Sequence, residues 1–160
     1  MSIYLRDHHA ASAAGVALAR RALGPYHPLA EEIARDRRTL ENVMRKLDVE
    51  PSGTKVAVVR VAELLGRLKL NGRLFKRSPL SKIVELETLV VGIRGKEALW
   101  ASLQTADLRF QGIDLQALAQ SARTQAGEVD KLRLSAVANA FGERPVPRAR
   151  RRQEKTRSAV

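Results

Sequence analysis

Apolar residues recur at helical spacing in five stretches of this chain, separated by helix-stopping residues. From Ser2 to Leu23, one stripe runs through Tyr4, His8, Ala11, Gly15, Leu18 and Ala22, and a second through Leu5, Ser12, Val16, Ala19 and Leu23. The side chains are mostly small, so a neighbouring helix can approach closely. Gly24-Pro25 ends this helix, and Pro28 suits the first turn of the next, with Glu31 and Glu32 near the positive end of its dipole. The second helix extends to Asp48 on a stripe of Leu29, Ile33, Asp36, Leu40, Val43 and Leu47.

Pro51-Ser52-Gly53 breaks the pattern, which resumes from Thr54 to Leu70 with Val58, Val61, Leu65 and Leu68 inward and Arg60, Glu63 and Arg67 outward. Asn71-Gly72 stops this third helix, and Ser78-Pro79 reads as an N-cap followed by a first-turn proline. The fourth helix, Pro79 to Gln104, carries a predicted stripe of Leu80, Ile83/Val84, Glu87, Val90/Val91, Arg94, Ala98 and Ala101. Asp114 is placed to cap a fifth, Leu115 to Phe141, with Leu115, Leu118, Ala122, Ala126, Val129, Leu132, Ala136 and Ala140 on its apolar side. These elements predict an all-α fold, an antiparallel helical bundle of four longer helices plus a short basic one. The bundle domain spans residues 1–142, and residues 143–160, with two prolines and little that is apolar, are expected to form a disordered basic tail.

Composition narrows the chemistry. Apolar residues make up 44% of the 160 residues but aromatics only 4%, so the core must be aliphatic. The chain has no cysteine, which excludes disulfides, thiolate catalysis and Cys-ligated metal. No uncharged run reaches membrane-spanning length, and Asp7, His8 and His9 interrupt any signal-peptide pattern, so a cytoplasmic protein is expected. The net charge of +12 is localised: Lys55 to Lys82 holds eight positive residues and one negative, and the last seventeen residues are also strongly cationic, leaving the remainder close to neutral.

Several ionisable residues fall on faces expected to be buried, and a lone buried charge is costly. If the four longer helices alternate in direction, Glu87 lies level with Arg133 and Asp36 with Arg94, which predicts two interhelical ion pairs and a chemically idle interior. The alternative is a ferritin-like bundle with a divalent metal or small ligand held by His8, Asp36, Glu87 and Asp130. Di-iron bundles use Glu-x-x-His pairs, which this chain lacks because all three histidines precede the first glutamate. His8 is expected to be buried and His9 exposed. Gly92 and Gly95 have no preceding strand pattern to make a phosphate loop, and close helix packing is the expected reason for both.

The basic stretches suggest an anion-facing surface formed by Arg60, Arg67, Lys69, Arg73, Lys76 and Arg77, with Arg148, Arg150, Arg151 and Arg152 as a second contact. Phe75 is the only ring among them, which argues against a platform for stacking bases. The phrases YLRDHHAASAAGVALARR, GRLKLNGRL with SPLS, and ELETLVVGIRGKEALW resemble an uncharacterised family of small helical bacterial proteins. That resemblance implies a helical fold and supplies no site. The functional expectation is a non-enzymatic interaction or scaffold bundle contacting nucleic acid or an acidic protein. Contact with an anionic membrane surface through the third helix is a lesser alternative.

Overall fold

The computed structural model describes residues 1–51 and 79–142. Among them are four helices and no strand: α1 Ser2–Leu23, α2 Pro28–Lys46, α3 Pro79–Thr105 and α4 Leu115–Phe141. The third predicted helix and the tail from residue 143 lie outside the described residues. None of the described helices is long and apolar enough to cross a membrane.

The helix ends follow local chemistry. Gly24 takes φ 114°, a conformation open to glycine, and its N–H closes α1 on the Arg20 carbonyl. Pro28 begins α2, and the His27 ring accepts a hydrogen bond of 3.2 Å from the Leu29 N–H. Asp114 caps α4 by accepting from the Ala117 N–H at 2.9 Å. Helix α2 stops at Lys46 rather than Asp48, which adopts the left-handed conformation just beyond the helix.

Side-chain ties fix the helix directions. Arg20 on α1 pairs with Glu31 on α2, and at the other end Arg6 donates to the Glu50 carbonyl, so α1 and α2 are antiparallel. Tyr4 donates to Ser102 near the end of α3, while Arg21 pairs with Glu85 and Lys82 donates to the Ala22 carbonyl near its start, so α1 and α3 are antiparallel too. Helices α3 and α4 form a long antiparallel hairpin, tied by Glu97 to Arg123 at 2.8 Å. It follows that α2 and α3 run in the same direction. This corrects the alternating order expected from the sequence, in which α3 would run in the same direction as α1.

The core is aliphatic apart from Trp100, which is 0% exposed beside Leu5, Val43, Leu86, Leu99 and Val129. The buried face of α3 comprises Ile83, Leu86, Leu89, Ile93, Leu99, Trp100 and Leu103, rotated from the predicted stripe. Leu80, Val84 and Val91, assigned inward by the sequence pattern, are exposed. The long α3·α4 contact selects this face, and both phases offered apolar residues to it.

Candidate functional site

The bundle's buried polar cluster begins at Asp36, on the α2 stripe between Ile33 and Leu40, where the side chain is driven inward by its apolar neighbours. Asp36 is 9% exposed. Its counter-charge is Lys96 of α3, whose ammonium donates to Asp36 Oδ2 and, at 2.5 Å, to Gln125 Oε1 of α4. Gln125 is 2% exposed, and its Nε2 donates at 3.2 Å to both Asp36 Oδ2 and Glu32 Oε2. One ammonium and one amide thus join three helices. Burial strips water from Lys96 and pushes its pKa below the ordinary 10.5, an effect opposed by Asp36 and Glu32.

A second cluster joins α1 to α2. Arg37 donates through Nη1 to the His9 carbonyl at 2.8 Å and to Ser12 Oγ at 2.7 Å, and its Nη2 lies 3.0 Å from His9 Nε2 and 3.2 Å from Glu41. His9 Nε2 also lies 3.1 Å from Glu41 Oε1. His9 is buried and His8 only half-buried, the reverse of the expected order. The His8 ring packs edge-on against Tyr4 at 4.6 Å. Burial lowers the His8 pKa below the ordinary 6.5, with Asp7 opposing.

Between these clusters lies a cavity of about 210 Å³ formed by α1, α2 and α3. Ala11, Gly15 and Leu18 line it from α1, Ile33 and Leu40 from α2, and Leu89, Gly92, Ile93, Leu99 and Trp100 from α3. His8, Asp36, Arg37 and Lys96 also reach its wall. A Cβ added at Gly15, Gly92 or Gly95 would meet nothing within 4 Å, so the close helix packing expected at Gly92 and Gly95 is not what these glycines serve. Trp100 Nε1 is buried, and no acceptor among the described residues reaches it.

The expected pairing of Asp36 with Arg94 is not formed. Arg94 is turned to the surface and pairs with Glu97 at 2.7 Å, three residues along its own helix. Glu97 also accepts from Arg123, and the two guanidinium groups hold its carboxyl below the usual range. The expected pairing of Glu87 with Arg133 is formed between α3 and α4 at 3.9 Å, but at the surface rather than in the interior: the Glu87 side chain is 52% exposed, and Arg133 also bonds to Asp130 at 2.7 Å. The set His8, Asp36, Glu87 and Asp130 does not converge, and among the described residues no group of three or more His, Asp and Glu side chains stands where it could share a metal ion. Residues Arg60, Arg67, Lys69, Arg73, Lys76 and Arg77, together with Arg148, Arg150, Arg151 and Arg152, lie outside the described residues.

Lys96, Gln125 and Trp100 were missed as site residues by the sequence pattern. A rotated α3 stripe of Ile83, Leu86, Leu89/Val90, Ile93, Lys96, Trp100 and Leu103 carries the same three-and-four spacing and would have placed Lys96 inward. Comparison of the chain with known families, curated proteins and solved structures yields no match in any of the three.

Proposed function

We propose that this bundle is a non-enzymatic binding protein whose cleft between α1, α2 and α3 holds a small, largely apolar molecule. The observation that carries this reading is the cavity itself, opened by two glycines whose side-chain positions face empty space. Glycine within a helix costs up to about 1 kcal/mol relative to alanine. No neighbour touches the bare backbone at Gly15 or Gly92, nor at Gly95 and Gly127, and of these four it is Gly15 and Gly92 that line the cleft. An apolar cavity of about 150 Å³ is known to take benzene, so this one has room for a single ring with a short substituent. The Asp36–Lys96–Gln125 cluster then serves as a fixed, internally neutralised wall rather than as reacting groups.

Thermal unfolding with and without ethylbenzene tests the reading. Ethylbenzene at ten times its Kd should add about 1.4 kcal/mol of stability. Gly92→Leu should fill the cavity and abolish that response, while Gly95→Leu, whose position does not line the cavity, should leave it intact. Equal responses in the two variants would refute the reading.

A second reading, contact with a polyanion such as nucleic acid or an acidic protein, is favoured by the placement of charge. The described helices are nearly balanced, so almost all of the +12 belongs to the basic stretch before α3 and to the tail. Affinity for DNA or RNA should then fall steeply with salt. Deleting residues 143–160 should shallow that dependence, and a flat salt profile in the full chain would dismiss the polyanion.

A further inference from the structure

Resting on the polyanion reading, we infer that the outward face of α2, formed by Arg35, Arg38, Arg45 and Lys46, is a contact surface for the phosphate backbone of a nucleic-acid duplex. At 3.6 residues per turn these cations and Asn42 fall within an arc of about 100°, opposite the buried stripe of Ile33, Leu40 and Met44, and all four cations are exposed. The acids of α2 are engaged elsewhere: Glu32 accepts from Gln125, Asp36 from Lys96, and Glu41 contacts His9 and Arg37. Glu31 alone shares the arc, at its N-terminal end, and is paired with Arg20 of α1. None of the four cations meets a carboxylate among the described residues; Arg45 reaches only Asn42 Oδ1, at 3.3 Å. The near-neutral sum of the described helices thus conceals a one-sided cationic face.

The face selects its partner. It carries no apolar side chain, so it offers neither the hydrophobic centre of a protein interface nor the apolar side that an interfacial helix buries in a membrane. It carries no ring either, which removes the stacking that single strands use. Three of its four cations are guanidinium groups, whose planar fork matches phosphate oxygens. From Arg35 to Lys46 the stripe is about 16 Å long on a straight helix, so it spans the roughly 12 Å of a B-form major groove and reaches phosphates on both edges. Such contacts position a duplex without reading its sequence.

Fluorescence anisotropy of a short labelled DNA duplex of mixed sequence, titrated with the full chain over a range of salt, tests the inference. Combining Arg35→Gln, Arg38→Gln and Arg45→Gln should make the slope of log K against log salt shallower by about 2–3, since each phosphate contact contributes about 0.9. Combining Arg94→Gln, Arg109→Gln and Lys131→Gln removes the same charge from other exposed positions and should leave the slope nearly unchanged. In the unmutated chain, the backbone amides from Arg35 to Lys46 should shift on addition of duplex ahead of those of α3 and α4, a readout that does not depend on any variant's folding. Equal losses in the two triple variants, or still α2 signals while the duplex binds, would make the inference wrong and leave the polyanion reading standing. Tighter binding to the single strand, or to phosphatidylserine vesicles, would also overturn it. If the full chain binds no duplex even at low salt, the nucleic-acid reading fails and takes the inference with it.

Discussion

Lys96 Nζ lies 2.5 Å from Gln125 Oε1, and the same ammonium donates to Asp36, so the amide of α4 and the carboxylate of α2 share one cation from α3. Gln125 turns its other end to Asp36 and Glu32. The arrangement matters because α2 is otherwise tied mainly to α1, and this cluster holds it against the α3–α4 hairpin.

Lys96→Met leaves Asp36 buried without its cation and should destabilise the protein by about 3–5 kcal/mol, as loss of one partner of a buried pair does. Asp36→Leu should cost a similar amount. The double variant should recover most of the loss, because two apolar side chains of similar volume replace the pair. Urea unfolding of the four proteins gives the coupling; strictly additive losses would show that the two residues act independently.

Arg94→Ala and Glu87→Ala should each change stability by no more than about 0.5 kcal/mol, the usual range for surface positions. Both residues project to solvent from α3. A loss of several kcal/mol from either would mean that α3 packs with the phase first read from its sequence.

Arg37→Lys keeps the charge but loses the planar fork that reaches the His9 carbonyl, Ser12 and Glu41 together. Loss of charge-assisted bonds in a half-buried setting should cost about 1.5–3 kcal/mol. The matching readout is faster amide exchange along α1 and α2, with the α3–α4 hairpin less affected.

Acid should weaken the protein through His8. Burial holds its pKa below 6.5, so between 6.5 and that lower value the unfolded chain binds more protons than the folded one. The stability present above pH 6.5 therefore declines as pH falls through that window. His8→Gln should flatten this limb of the stability profile, and an unchanged limb would assign the decline to other groups.

Much of the fold was legible in the chain because local chemistry decides helix ends. Gly24, Pro28, Asp114 and Gly142 stand at the observed boundaries, and the α2 stripe from Leu29 to Val43 is buried as its spacing predicts. The phase of α3 was not legible. That helix is apolar on several sides, with Val84 and Val91 on one face and Leu86 and Ile93 on another, and only its long contact with α4 selects between them. Asp36 was identifiable as a buried charge, but its partner depended on that phase, so Arg94 was named where Lys96 stands. The cavity could not be read at all, since a glycine that meets a neighbour and one that faces empty space look alike in a sequence.

The central claim is that the space beside Trp100 admits a small apolar molecule, and xenon tests it most directly. Under xenon pressure, the Trp100 indole resonance and the backbone signals of Gly15 and Gly92 should shift together along one saturating curve, while Gly95 and Gly127 stay nearly still. Shifts spread evenly over the helices, or none at Trp100, would contradict the account.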